Sequence, residues 1–335
     1  MTYPETEQIQ QLITGAERIL IIQADNPDAD SLGSALALES ILSELGKNTY
    51  LYCSVDMPTY LRYMQGWDRV SKDIPSNFDL SIIVDASTMT LFDVFQDPNI
   101  KGVLASKPCV ILDHHEITDN PIPFATATIN DGTRASTGEL LYIIGKECGW
   151  PMNIEALECI ASTVLGDTQG LTNELAKAET YRIMADLIEQ GVNRPKLEEI
   201  RREYGKMPEP IFRYKAKLIE RTELYADGRL AIVIVPQNEI NEYSPLYNPA
   251  PLIQNDVLQT VGVQLAVVLK QYDSGRITAA IRANNGATVA GTLAEHFGGG
   301  GHQYASGFKL TDNRPLNEVK SECIRKATEL LDNLK

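Results

Sequence analysis

The first 190 residues constrain the fold most, because short apolar runs alternate there with amphipathic stretches of helical length. Ile19–Ile22, Leu80–Val84 and Cys109–Leu112 are near-continuous apolar runs, and Thr49–Cys53 is strand-like. Runs of this kind must be buried on both faces, which implies strands of a mainly parallel sheet covered by helices. The helices fall between them. One is predicted from about Ser31 to Leu45. Another starts at Ser136, where Ser136-Thr137-Gly138-Glu139 has capping-box spacing, and runs to about Cys148. The predicted class is α/β: a mainly parallel sheet in the N-terminal domain, with a smaller α/β domain after it.

The chain is long enough for two such domains, at 335 residues. Between residues 191 and 217, Gly191, Pro195, Pro208 and Pro210 punctuate a charged stretch, predicted to be a linker carrying one helix. Leu230–Val235, Gln264–Leu269 and Arg276–Arg282 then read as strands. The expected organisation is therefore a catalytic domain over 1–190, a linker over 191–217 and a substrate-binding domain over 218–335. No secretory leader is expected at the N-terminus, and no run approaches the roughly 20 apolar residues that span a bilayer. Five scattered cysteines without C-x-x-C spacing fit reduced thiols in a cytoplasmic protein.

Charge divides unevenly. The net charge is −15, with −13 carried by residues 1–217 and −2 by residues 218–335. Such a surface repels nucleic-acid backbones at long range and argues against a protein that coats double-stranded DNA. The acidity of the first domain has a local source. Asp28 and Asp30 follow the first strand, Asp85 ends the run Ile82-Ile83-Val84, Asp113-His114-His115 ends Val110-Ile111-Leu112, and Asp167 follows a small and apolar helical stretch. One Asp after a strand is ordinarily a cap or turn residue, and a histidine pair is often a polar loop. Four such motifs at the carboxyl end of one parallel sheet converge on one crevice. Carboxylates gathered there repel one another unless cations bind between them, and oxygens with an imidazole suit Mn²⁺ or Mg²⁺ better than Zn²⁺. The constellation points to metal-centred phosphoryl transfer.

These residues resemble the motifs of the DHH phosphoesterase superfamily. Asp113-His114-His115 is similar to its signature, as are Asn26-Pro27-Asp28-Ala29-Asp30 with Gly33, the lone Asp85 and Gly166-Asp167-Thr168 to its other motifs. Phe297-Gly298-Gly299-Gly300-Gly301-His302 resembles the glycine-rich motif of the DHH-associated substrate domain. Size and order look most like bacterial nanoRNases and pAp phosphatases, with relatives acting on linear or cyclic dinucleotides. The resemblance implies two Mn²⁺ ions (Mg²⁺ as the alternative), on the order of 3.5–4 Å apart. Asp85 would bridge them, Asp30, His114 and Asp167 would complete the second site, and Asp28 would bind the first. His115 would face the scissile phosphate and Asp113 would orient the histidine pair. Arg282 and His302 would bind a phosphate or base, with Gly300 and Gly301 as a cradle. Arg134 and Ser136 lie where a loop could reach a cleft between the domains.

One position departs from the pattern. The superfamily usually places a histidine four residues before the first motif aspartate, and this chain has Ala24 there. Gln23, Asp25 or water takes its place, or the first metal site is weak. The expected function is hydrolysis of a short nucleotide (a linear dinucleotide such as pApA, nanoRNA, cyclic di-AMP or pAp) by metal-activated hydroxide, in a cytoplasmic enzyme, plausibly a homodimer. The alternatives are a RecJ-type single-strand exonuclease, and a catalytically weak nucleotide sensor. His296 matches no motif and is expected to be a surface or helix-end residue.

Overall fold

A computed structural model describes residues 2–115, 120–244, 247–301 and 303–334. The chain divides into two compact units, 1–206 and 207–335. In the first unit the elements are α1 (Thr6–Gly15), β1 (Arg18–Ile22), α2 (Ala29–Glu44), β2 (Asn48–Tyr52), β3 (Leu80–Val84), α3 (Pro98–Ala105), β4 (Cys109–Asp113), β5 (Ala127–Asn130), α4 (Thr137–Cys148), α5 (Ile154–Asp167), α6 (Ala178–Glu189) and α7 (Arg194–Tyr204). The second unit has α8 (Glu209–Glu220), β6 (Glu223–Tyr225), β7 (Leu230–Val235), α9 (Gln237–Tyr243), α10 (Pro249–Leu258), β8 (Leu265–Gln271), β9 (Ile277–Ala283), α11 (Ala290–His296), β10 (Gly300–Gly301), β11 (Ala305–Leu310) and α12 (Leu316–Asp332).

All five strands of the first sheet are parallel, in the order β2-β1-β3-β4-β5. The period of two sends alternate residues to opposite faces. Ile19, Ile21, Ile82, Val84, Val110 and Leu112 pack with Leu32, Leu36 and Leu140 from α2 and α4. Leu20, Ile22, Ile83 and Ile111 pack on the other side with Phe78, Phe92, Phe95 and Leu104. Full burial of each such side chain contributes on the order of 1.5–3 kcal/mol. The strand order reverses between β1 and β3, so the loops after these two strands part and leave a crevice at their carboxyl ends. Asp28 and Asp30 follow one of the two strands and Asp85 follows the other.

Helix packing beside this crevice is close. A Cβ on Gly33 would come within 2.6 Å of Thr163 Cγ2, and one on Gly138 would collide with the Thr163 hydroxyl. Only glycine at both positions lets α2 and α4 approach α5 this way. Ser136 caps α4, its hydroxyl accepting the Glu139 N–H at 3.0 Å, as its capping-box spacing predicts. Helix α5 ends at Asp167, so that aspartate arrives from a helix and not from a strand end.

The second sheet is mixed, in the order β10-β11-β9-β8-β7-β6, with β7 and β8 parallel and its other pairs antiparallel. Helices α11 and α12 cover one face through Leu293, Val319 and Cys323, and α8 and α10 cover the other through Ile211, Tyr214 and Ile253. Residues 191–217 hold α7 and most of α8, and the division between the units falls between these two helices. Strands β5, β6 and β11 have no counterpart among the predicted elements. They are short or rich in small and polar residues, so local patterning does not mark them. Gly300–Gly301, the expected cradle, forms a two-residue strand that pairs antiparallel with Ser306 and Gly307. A Cβ on Gly301 would lie 2.6 Å from Ser306 Cα, so the absence of side chains is what permits the pairing. Among the described residues no helix is long and apolar enough to cross a membrane.

Candidate metal centre

The site is built by the ends of β1, β3, β4 and α5 and the start of α4. Asp28 caps α2, its Oδ1 accepting the N–H groups of Asp30 and Ser31 at 3.0 Å each, and the Ser31 hydroxyl accepts the Asp28 N–H. The capping role is real but uses one oxygen. Burial raises the Asp28 carboxyl above its ordinary range, and the charge of Asp30 adds to this. Asp30 is fully buried, in the first turn of α2. Its Oδ2 accepts the Thr137 N–H at 2.6 Å, and its Oδ1 accepts the Gly138 N–H at 3.2 Å and the Ser34 hydroxyl at 3.0 Å. The free amides at the start of α4 thus compensate a buried carboxylate.

Asp85, immediately after β3, adopts a left-handed backbone with φ 61°. Aspartate tolerates that region better than most residues. Its Oδ1 accepts the Thr137 hydroxyl at 3.1 Å. Burial pushes its carboxyl well up, and Asp30, Asp28 and Asp167 push it further. Asp113 ends β4 and gathers three donors on Oδ1: the N–H groups of His114 (2.8 Å) and His115 (3.1 Å) and His115 Nδ1 (2.8 Å). A carboxylate only accepts, so His115 carries its proton on Nδ1 when neutral and keeps Nε2 as its lone-pair nitrogen.

His114 is the centre of the cluster. Its Nδ1 lies 3.3 Å from the Arg134 carbonyl, which can only accept, so Nδ1 holds a proton. Its Nε2 faces Asp167 Oδ2 at 3.1 Å, Asp30 Oδ2 at 3.4 Å and Asp85 Oδ1 at 3.6 Å. This nitrogen is buried, and none of these contacts has hydrogen-bond geometry. Burial lowers the affinity of His114 for a second proton, but Asp167 and Asp30 outweigh it and push its pKa up to about 9. Burial and the charge of Asp30 likewise push Asp167 up to about 6. Without a cation the cluster must therefore hold protons. Two overlapping groups, Asp30–His114–Asp167 and Asp85–His114–His115, each bring three potential ligand atoms within 4.8 Å of one another. Carboxylate oxygens with one oriented imidazole nitrogen form a donor set suited to a hard divalent cation.

Other candidates lie apart from this cluster. The Arg134 guanidinium is engaged by Tyr3 Oη (2.8 Å), Asp131 Oδ2 (3.0 Å) and Glu179 Oε2 (2.8 Å), and only its carbonyl reaches the site, through His114. Ser136 is buried as a cap. Near the Ala24 position, Asp25 accepts from the Ser54 hydroxyl and the Asp93 N–H. Gln23 is fully buried, and neither atom of its amide has a hydrogen-bond partner among the described residues. Thr137 and Gly138, which hold Asp30 and Asp85, escaped sequence inspection. The signal was there: a capping box fixes the position of a helix start, and with it a set of free N–H groups. In the second unit, Arg282 lies on β9 opposite Ala305 of β11. It is exposed, donates to the Ile281 carbonyl at 3.0 Å, and has no carboxylate partner among the described residues. Gly300 and Gly301 are exposed on β10, while His302 lies outside the described residues. His296 ends α11 and pairs with Glu322 at 2.9 Å.

A crevice at the switch point of a parallel sheet, lined by carboxylates around one oriented histidine, defines a class of α/β protein with a donor set that could hold a divalent cation. Comparison with known proteins gives the domains. The DHH family N-terminal domain matches residues 18–164, and the DHHA1 domain matches residues 250–333. The chain thus carries these two domains in that order. A relative from Thermus thermophilus, the bifunctional oligoribonuclease and PAP phosphatase NrnA, is 24% identical over 307 residues, covering 90% of this chain and 88% of its own. The cyclic-di-AMP phosphodiesterase PdeA of Listeria monocytogenes is 23% identical over 92% of this chain, which spans only 47% of that protein. Among solved structures, an exopolyphosphatase-related protein from Bacteroides fragilis superposes with a TM-score of 0.86 at 22% identity over 98% of each chain, and so shares the fold.

Proposed function

We propose that this protein is a cytoplasmic, Mn²⁺-dependent phosphoesterase that hydrolyses short nucleotides: linear dinucleotides, nanoRNA, cyclic di-AMP or pAp. The observation that carries the reading is His114, which donates Nδ1–H to a carbonyl and turns Nε2 toward three carboxylates. Asp30, Asp85, His114 and Asp167 would hold the cation, with Asp28 as a further oxygen ligand. A divalent ion there supplies Lewis-acid polarisation of a phosphoryl oxygen and lowers the pKa of water. Asp113 holds His115 by Nδ1, so that Nε2 of this half-exposed ring can meet a phosphate oxygen or a leaving group. Arg282 offers an uncompensated guanidinium for a nucleotide phosphate. The names of the NrnA and PdeA relatives support the substrate class.

The test is turnover by purified protein with Mn²⁺ or Mg²⁺ against pApA, pAp, cyclic di-AMP and a longer single strand. Release of mononucleotide or phosphate from the short substrates, lost on chelation, is the expected result. Dinucleotide binding without hydrolysis of any substrate would overturn it in favour of a sensor.

A further inference from the structure

We propose that Thr137 is a positioning residue that ties the two halves of the candidate metal centre together across the switch point of the sheet; this rests on the metal-dependent reading above. It acts through two atoms. Its backbone N–H donates to Asp30 Oδ2 at 2.6 Å, and its hydroxyl donates to Asp85 Oδ1 at 3.1 Å. Asp30 belongs to the segment after β1 and Asp85 to the segment after β3, the two strands whose connections diverge. The oxygens it contacts are two of the three that face His114 Nε2, at 3.4 and 3.6 Å, the third being Asp167 Oδ2. Thr137 thus sets the direction of two carboxylates toward one point.

Three features show that this placement is built into the packing. Thr137 is the first helical residue of α4, fully buried, behind a Ser136 cap. Gly138 and Gly33 both yield their Cβ space to Thr163, and this fixes the start of α4 against α2 and α5. The left-handed backbone of Asp85, φ 61°, is an uncommon conformation that a hydrogen bond to the side chain helps retain. A buried hydroxyl that donates to a ligand oxygen leaves the other lone pairs of that carboxylate for a cation.

The position permits a graded test, since a first helical residue tolerates proline and Ser136 already has the extended backbone that precedes one. Thr137→Ser keeps both donors, Thr137→Val removes the hydroxyl, and Thr137→Pro removes hydroxyl and N–H. The readout is the Mn²⁺ dissociation constant, from the spin-resonance signal of free ion, with metal-free thermal unfolding as the check on folding. Expected are a change within about 2-fold for serine, about 10-fold weaker binding for valine and about 100-fold for proline, the span usual for groups that orient metal ligands. Should the proline variant not fold, the valine–serine contrast decides alone. Wild-type affinity in the valine variant, with the wild type binding Mn²⁺ tightly, overturns the role of Thr137 only. Absence of Mn²⁺ and Mg²⁺ binding by the wild type overturns the metal reading with it.

Discussion

The two units place chemistry on a sheet in opposite ways. In the first, the candidate groups Asp30, Asp85, Asp113 and His114 are all buried. Burial of charge is their dominant physical fact, and repulsion from neighbouring carboxylates adds to it at Asp85. In the second, Arg282, Gly300 and Gly301 are exposed, and the glycines act through backbone geometry instead of side chains. A buried acidic cluster is stabilised by whatever neutralises it, whereas an exposed cation next to a bare backbone costs the fold little. On the proposed function, the first arrangement exchanges metal-free stability for affinity toward cations, and the second would receive an anion.

Removing a carboxylate should therefore separate stability from activity most widely. Asp85→Asn is expected to lower turnover by at least about 1000-fold, the order of a lost electrostatic catalytic group. It should also raise the metal-free melting temperature, by about 2–4 °C for each kcal/mol of relieved repulsion. A lowered melting temperature in the metal-free variant would show that Asp85 stabilises the fold, contrary to the contrast drawn here. Next in size is Arg282→Ala, expected to weaken nucleotide binding about 10- to 100-fold, as for loss of a charged hydrogen bond, with the melting temperature unmoved. Loss of stability in place of binding would place Arg282 in the structural framework.

The pH dependence sharpens the same comparison. Asp167 is pushed up to about 6 and His114 to about 9, and both must shed their protons to bind a cation. Mn²⁺ affinity should accordingly rise with pH, first through about 6 and then toward about 9, and fall on acidification. Metal-free stability runs the other way for His114. Its folded pKa exceeds the unfolded value, so its contribution is complete below about 6.5 and is lost as pH rises through about 9. Titration calorimetry across pH 5.5–9.5 (about the window these values set) checks both, and an affinity that is flat with pH would remove these two residues from the ligand set. The smallest effect expected is at Gln23. Replacing a buried amide that has no partner among the described residues with an apolar chain of similar shape, Gln23→Met, should stabilise the protein by about 1 kcal/mol. Destabilisation, or weaker Mn²⁺ binding, would show that the amide serves a ligand at the position where an imidazole is usual and Ala24 stands.

Much of this was legible in the residues. The apolar runs of β1, β3 and β4 announced a sheet buried on both faces, and Asp28, Asp30, Asp85 and the Asp113-His114-His115 triplet were visible at its edge because strand ends interrupt apolar runs abruptly. Asp167 was legible as the end of a small and apolar helical stretch, and α5 does end there; that this helix packs beside the strand ends was not legible, because helix packing is not a local quantity. Arg134 illustrates the opposite case. Its loop position placed it where it could reach a cleft, yet its guanidinium is held by Tyr3, Asp131 and Glu179, residues 131 positions before, 3 before and 45 after it in the chain. No local pattern encodes a network of that span.

Residue type and hydrophobic period are local quantities, and from the residues alone they gave the class of fold and singled out Asp28, Asp30, Asp85, Asp113, His114, His115 and Asp167 as the acidic and histidine groups of one crevice. Tertiary structure alone decided which nitrogen of His114 faces the carboxylates, and that Thr137 and the free amides of α4 hold Asp30 and Asp85. These depend on how helices α2, α4 and α5 approach one another across Gly33, Gly138 and Thr163, and close approach is a property of packed surfaces that are distant in the chain.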